Sequence, residues 1–233
     1  MKPLKQPCNL DKCLLCRLCL KEWLPAVAAN RQTLQLKKGE LLFREGDEMN
    51  GIYFVYEGTV KVHKHWGEDK ELIVRFAKDG QIVGHRGLGK DPYFPVSATA
   101  LEKTTVCFIG TQFFYSSLKV NHELLFELML FFATELKESE KNMRNLAHMP
   151  VKGRIAQALL NLQLIFGNNF EEAINEKISR QDLASYVGTT YETLFRMMNE
   201  MQEEGMISLA EKKLLVTDQE KLLDCLHQSG GKK

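Results

Sequence analysis

Between Ser179 and Ile207 the chain carries two helix-start signals separated by one glycine, a pattern that admits little besides two short helices meeting at a sharp turn. Ser179 is a good N-cap, and Asp182 three residues on completes a capping signature. Leu183, Ala184 and Val187 supply an apolar face, and Gly188 suits the left-handed position that ends a helix. Thr190 then caps a second helix, in which Leu194, Met198 and Met201 fall at i, i+4 and i+7 and form a buried stripe. Glu192, Arg196 and Asn199 line the opposite face, beside Tyr191 and Phe195. The spacing predicts a helix-turn-helix whose second helix faces outward with Glu and Arg first.

Those side chains suit base edges in a DNA major groove. A guanidinium donates two hydrogen bonds to guanine O6 and N7, and a carboxylate accepts from cytosine N4. Glu192 and Arg196, taken as a pair, read as an ordinary ion pair on a solvated helix. The capped helices around them turn the reading toward DNA, with Arg180, Thr190, Tyr191, Glu192, Phe195 and Arg196 as the candidate contacts. The run Val-Gly-x-x-x-Glu-Thr-x-x-Arg, from Val187 to Arg196, resembles the recognition segment of Crp/Fnr transcription regulators. Gly153-Arg154-Ile155-Ala156 and the N-terminal half extend that resemblance over nearly the whole chain.

With 233 residues, 44% hydrophobic and 26% charged, the chain suits two modest domains, each with its own core. The net charge of +1 gives no general affinity for polyanions. From Pro150 to Lys233 ten Lys and Arg face twelve Asp and Glu, so any basic surface must be local. Lys152, Arg154, Lys177, Arg180 and Arg196 are its candidates. Met1 to Leu20 has no uninterrupted apolar run of the signal-peptide kind, and Leu124 to Ala133 is too short to span a bilayer. A cytoplasmic protein with no membrane segment is expected, in which cysteines serve as thiols, metal ligands or redox groups.

Four of the six cysteines, Cys8, Cys13, Cys16 and Cys19, lie within the first nineteen residues. Such crowding suits iron–sulfur ligation, a zinc site, or redox-active thiols. From Thr33 to about Phe113 short alternating segments are broken by glycines: Leu41 to Phe43, Ile52 to Val55, Val60 to Val62, Leu72 to Phe76 and Val106 to Ile109. Strands so short and evenly spaced predict an antiparallel roll or barrel. Lys38 to Asp47 and Tyr56 to Lys61 resemble the opening strands of a cyclic-nucleotide-binding roll. In relatives that bind cyclic AMP, the phosphate cassette carries Gly-Glu and, about ten residues later, Arg-Ser. The matching positions here are Gly84-His85 and Val96-Ser97. The ribose-binding carboxylate and the phosphate-binding cation are both replaced, which argues against cyclic AMP. Arg86 is expected at the surface, and His85 as a hydrogen-bonded loop histidine.

Cys107, taken alone in the apolar strand Thr105 to Ile109, reads as a small core residue. Ala100-Leu101-Glu102-x-x-x-Val106-Cys107, however, resembles the segment of oxygen-sensing Fnr proteins that holds the internal ligand of a 4Fe-4S cluster. The resemblance implies Cys13, Cys16, Cys19 and Cys107 as ligands, with Cys8 as the alternative and Cys225 as a bystander. The gap of two residues between Cys16 and Cys19 is shorter than in the enterobacterial pattern.

From Phe114 to Met149 the pattern is helical. Leu124, Leu128 and Phe131 form a stripe that packs on the roll. Leu125, Met129, Phe132, Leu136, Ser139, Met143 and Leu146 form a second, heptad-spaced seam that favours a homodimer, with Glu135, Lys137, Glu138, Glu140 and Lys141 toward solvent. Pro150 marks a hinge, and Ile155, Leu159, Leu162 and Ile165 form the next helix. Ile207 to Leu209 and Leu214 to Val216, joined through Glu211 to Lys213, read as a wing, and Ser229 to Lys233 as a loose tail.

The expected fold is α+β: a cysteine-rich segment (1–32), an antiparallel sensory β-roll (33–113), a dimerisation helix (114–149) and a winged helix-turn-helix (150–233). The expected partners are palindromic double-stranded DNA, a second copy of the chain and RNA polymerase. The expected signal is oxygen or nitric oxide, with Gly84, His85, Arg86, Val96 and Ser97 as the pocket for any small effector. The alternatives are a regulator of the same type without a cluster and a redox metalloprotein that does not bind DNA. No P-loop, Rossmann fingerprint or nucleophile–base motif is present, so the chain reads as no enzyme.

Overall fold

The computed structural model describes residues 2–4, 13–67, 70–210 and 213–228. Cys8, the link 211–212 and the tail 229–233 lie outside the described residues. The chain divides into two compact units, Met1–Glu135 and Leu136–Lys233, so the division falls within the long helix.

In the first unit, strand β1 (Lys2–Leu4) is followed by helices α1 (Leu14–Leu18) and α2 (Leu24–Asn30). The roll is built from β2 (Arg31–Leu36), β3 (Leu41–Phe43), β4 (Gly51–Glu57), β5 (Val60–Trp66), β6 (Lys70–Ala77), β7 (Ile82–Val83), β8 (Ser97–Ala100) and β9 (Thr104–Gly110). They form two antiparallel sheets, ordered β1-β2-β9-β4-β7 and β3-β8-β5-β6. The β-branched and aromatic residues of β4 and β9 fill the core, where Ile52, Phe54, Val106 and Ile109 are buried. All five strands expected from the alternation are present. The unexpected ones have weak local signals. β8 is Ser-Ala-Thr-Ala, small residues that become a strand because β3 and β5 both bond to it.

The helix expected from Phe114 to Met149 is two helices, α3 (Thr111–Val120) and α4 (His122–His148). Asn121 ends the first: its Nδ2 donates to Ser117 O at 2.8 Å. This self-bonding of a short amide competes with the helix ladder and breaks it. On α4 the two stripes separate as the spacing predicted. Leu124 and Leu128 are buried against the roll, each stabilising it by roughly 1.5–3 kcal/mol. Leu125, Met129, Phe132, Leu136, Met143 and Leu146 are exposed, and so are Phe126 and Leu130 beside them. Glu135 departs from expectation and does not face solvent, because two arginines of the roll hold it.

In the second unit α5 (Val151–Phe166) buries Ile155, Leu159 and Leu162. A short turn, α6 (Phe170–Glu172), leads through a π-helical stretch to α7 (Arg180–Val187) and α8 (Tyr191–Glu203). Strands β10 (Ile207–Ala210) and β11 (Lys213–Val216) pair as the wing, and α9 (Gln219–Gln228) packs on α5.

The capping box forms in full: Ser179 Oγ accepts from Asp182 N at 2.9 Å, and Asp182 Oδ2 accepts from Ser179 N at 3.1 Å. Ser179→Ala removes the hydroxyl that accepts from Asp182 N and donates to Asp182 Oδ2, keeps the bond from Ser179 N, and is expected to cost about 1 kcal/mol, whereas Ser179→Thr retains most of it. Urea unfolding of the two variants checks this; equal stability of Ala and parent contradicts it.

Candidate functional site

The turn between α7 and α8 rests on Gly188, whose φ of 72° and ψ of 48° put it in the left-handed region that residues with a Cβ disfavour. Thr190 caps α8, its Oγ1 accepting from Thr193 N at 3.3 Å. Leu194, Met198 and Met201 are buried, so the opposite face must point outward. Tyr191 and Phe195 are exposed and stack with ring centroids 6.5 Å apart. Glu192 and Asn199 are exposed beside them. Arg196 lies 3.6 Å from Glu200, its i+4 neighbour, instead of pairing with Glu192. An exposed pair of this kind is worth about 0.3–0.5 kcal/mol, so the guanidinium exchanges it readily for a base edge.

Arg180 also has a structural job that its sequence position does not suggest. Its guanidinium donates to Ile174 O at 2.9 Å and to Asn175 Oδ1 at 3.0 Å. Asn175 in turn accepts from Leu214 N at 2.7 Å and donates to Leu214 O at 3.0 Å. Arg180 and Asn175 thereby tie the wing strand β11 to the π-helical stretch, a role that no local sequence signal announces. The local basic surface is also reduced. Lys152 pairs with Glu204, Lys177 lies 3.2 Å from Glu172, and Arg154 donates to Leu146 O. Carboxylates close to these lysines in the folded unit neutralise them.

In the first unit, Cys13, Cys16, Cys19 and Cys107 are all buried in the core of the roll. Cys13 and Cys107 line one small cavity together with Phe54, Val55 and Tyr56. Burial, and then the neighbouring charge of Cys13, pushes the Cys19 thiol up to about 11. Among the described residues no three of these thiols lie within 4.8 Å of one another. A single bound ion demands such closeness; a cluster of several atoms, which spreads its thiolates around a larger centre, does not. The thiols as placed do not form a closed single-ion site, and Cys13 and Cys107 are the pair that one cavity brings together.

The cysteine segment is fastened to the α3–α4 junction. Leu20 N donates to Asn121 Oδ1 at 2.7 Å, and Trp23 Nε1 donates to Ser117 Oγ at 3.0 Å. The Trp23 ring stacks on Phe113, with centroids 5.8 Å apart. Asn121 thus ends α3 with one side of its amide and holds the chain after Cys19 with the other.

Aromatic side chains of the roll pack close to Gly84 in the expected effector region. Space beside Gly84 is filled by Phe94, Tyr53 and Phe43. Val96 is buried, and Ser97 Oγ accepts from Glu45 N at 2.9 Å. Arg86 is no surface residue: its Nη2 donates to Glu135 Oε2 of α4 at 2.8 Å, while Arg75 Nη1 donates to Oε1 at 3.2 Å. His85 makes no well-aligned hydrogen bond, contrary to expectation; its Nε2 keeps a long contact of 3.6 Å with Glu135 Oε2. Its ring instead packs edge-on against Phe131 and Phe132. Burial pushes the His85 pKa down, which keeps the ring neutral. Burial acts to raise the Glu135 pKa, but His85, Arg75 and Arg86 outweigh it and hold the carboxyl at about 2.

A roll of two antiparallel sheets, a long helix running out of it and a winged helix-turn-helix define a DNA-binding regulator with a sensory domain. Comparison with known proteins agrees. A cyclic nucleotide-binding domain model matches residues 33–121, and a Crp-like helix-turn-helix model matches residues 153–225. The transcriptional activator protein anr of Pseudomonas aeruginosa is 31% identical over 78% of this chain and 75% of its own length. The anaerobic regulatory protein of Bacillus subtilis is 27% identical over 88% of the chain and 87% of its length. The cAMP-activated regulator CRP of Escherichia coli is 30% identical over 75% of the chain and 84% of its length. In fold, the chain resembles a CooA mutant from Carboxydothermus hydrogenoformans, with a TM-score of 0.74 and 20% identity over 92% of this chain and 95% of that one. The chain belongs to the Crp/Fnr family: it is a DNA-binding transcription regulator and not an enzyme. Among the described residues no helix is long and apolar enough to cross a membrane.

Two expectations follow from these geometries. Arg196→Ala should cost about 1–3 kcal/mol of DNA affinity and relax preference at one G·C position in a binding-site selection. Uniform weakening on all sequences makes Arg196 a phosphate contact instead. Glu135→Gln leaves the buried Arg75 uncompensated and should destabilise the roll by about 1–3 kcal/mol at pH 7. The Glu135 contribution is present above the unfolded value near 4.5 and is lost as pH falls toward about 2. His85, whose folded pKa lies below 6.5, adds a loss that begins as pH drops below that value. Acid titrations of parent and Glu135→Gln should draw together as pH falls from near 4.5 and meet near pH 2, and parallel curves contradict the assignment.

Proposed function

We propose that this regulator responds to oxygen or nitric oxide through a 4Fe-4S cluster held by Cys13, Cys16, Cys19 and Cys107, with Cys8 as the spare thiol. The observation that carries the reading is the shared cavity of Cys13 and Cys107, residues far apart in sequence. The similarity to the Bacillus subtilis anaerobic regulatory protein points the same way. Bound there, the cluster would supply a centre that oxidants destroy. The chain's own residues do the rest. Cys13, Cys16 and Cys19 fix the N-terminal segment against the roll, and Leu20 and Trp23 pass that constraint to Asn121 and Ser117 at the root of α4.

The exposed seam of α4 is the surface on which a second copy docks. Leu125, Met129, Phe132, Leu136, Met143 and Leu146 recur at heptad spacing, and Ser139 interrupts them, so the dimer is marginal and easily biased. A homodimer presents two α8 helices to half-sites about one helical turn apart, which calls for palindromic DNA. Cyclic AMP is not the effector in this reading. Val96 offers its phosphate no cation, and Glu135 already engages Arg75 and Arg86. A shift from mostly monomer to mostly dimer needs several kcal/mol, which ordering the N-terminal segment around a metal centre supplies.

Anaerobic purification with iron and sulfide analysis tests the proposal. Parent protein should hold iron and sulfide and sediment as a dimer, and air should shift it toward monomer. Cys107→Ser should lose the iron, whereas Cys8→Ser should keep most of it. Absence of iron from anaerobically reconstituted protein, or an identical dimer with and without it, overturns the reading.

A further inference from the structure

The β5–β6 hairpin, on the other sheet from Cys107, brings together three side chains that the regulator's DNA and cysteine chemistry leave unused. His63 and His65 alternate along β5, and Glu71 of β6 is the cross-strand partner of His65. His63 Nδ1 lies 2.9 Å from Glu71 Oε2, and His65 Nε2 lies 3.7 Å from the same oxygen. All three ligand-type atoms fall within 4.8 Å of one another, the sole such group of three among the described residues.

We propose that His63, His65 and Glu71 form a binding site for a divalent transition-metal ion of the zinc type. A tetrahedral zinc with bonds of 2.0–2.1 Å sets its ligand atoms about 3.3 Å apart. The observed separations of 2.9 and 3.7 Å bracket that spacing. His63 is 3% exposed, and its Nδ1 faces Glu71 Oε2 at 2.9 Å without a well-aligned hydrogen bond. A buried ring nitrogen left in this way is costly unless something fills the gap.

The surroundings suit a metal ligand. His63 Nε2 sits 2.9 Å from Thr99 Oγ1 of β8. The Thr99 hydroxyl can donate or accept, so the His63 ring can adopt the tautomer that offers the Nδ1 lone pair to an ion bound beside Glu71 Oε2. A hydroxyl or carbonyl that fixes the far ring nitrogen is the usual support of a metal-bound histidine. Lys61 Nζ holds Glu71 Oε1 at 2.8 Å and leaves Oε2 for the metal. Its positive charge opposes a second cation and weakens the site without blocking it. The half-exposed His65 ring marks the solvent side, where water can complete the coordination. Two imidazoles and one carboxylate favour zinc, copper or nickel over magnesium and calcium.

Equilibrium dialysis of the full chain against zinc alone tests this, with cobalt absorbance to separate thiolate from nitrogen and oxygen ligation. The parent should bind one zinc more than His65→Ala, a change at an exposed position, and than Glu71→Gln. Affinity at this site should fall at least about 10–100-fold in each variant. The thiolate-to-cobalt bands should be the same in all three proteins. Equal zinc stoichiometry and affinity in parent and both variants, with all binding reported by thiolate bands, overturns the proposal. Equal displacement of the zinc by magnesium overturns it too.

Discussion

Strand β9 is the interaction on which the sensory unit depends. It bonds to β2 on one side and β4 on the other, so every residue from Thr105 to Ile109 is fixed in register by two neighbours. A one-residue slip of such a strand would exchange its two faces, so that Cys107 and Ile109 would leave the face they share and Val106 would take their side. The same register aims Cys107 at the cavity that Cys13 shares. A core residue and a candidate ligand are thus placed by one constraint, and the ligand's position is as firm as the core itself.

From that strand the sensory unit extends along two routes to α4. One runs through the N-terminal segment, where Leu20 and Trp23 grip Asn121 and Ser117. The other runs through Glu135, which Arg75 and Arg86 hold from the roll. The first acts at the root of the helix and the second near the end of the part that packs on the roll. Between them lie Leu124 and Leu128, and on the reverse face lies the exposed seam. The helix is therefore held to the roll at two points along its length. In the other unit, a capping box and Gly188 orient α8 with comparable definition.

Most of the secondary structure was legible because the signals were local. Ser179, Asp182, Gly188 and Thr190 each carry their meaning within one turn, and the structure places each where its chemistry suggested. The two stripes of α4 were legible through Leu124 and Leu128, which recur at helical spacing. β8 was not, because Ser97 to Ala100 has no intrinsic strand preference and gains its form from β3 and β5. The roles of Glu135, Arg86 and Arg180 were hidden for the same reason. A charged residue in a helix pattern reads as solvated, and only the fold reveals that a partner distant in sequence has desolvated it. Asn175 illustrates the limit, since its two bonds to Leu214 cross thirty-nine residues.

In the proposed function, the state of the cysteine site sets DNA binding through α4. Fluorescence anisotropy of a labelled palindromic duplex, read on one anaerobic sample before and after brief exposure to air, measures this directly. Tight, saturable binding is expected before exposure and at least a tenfold weaker affinity afterwards, equivalent to a loss of about 1.4 kcal/mol or more. An unchanged affinity, with the iron demonstrably lost, would contradict it.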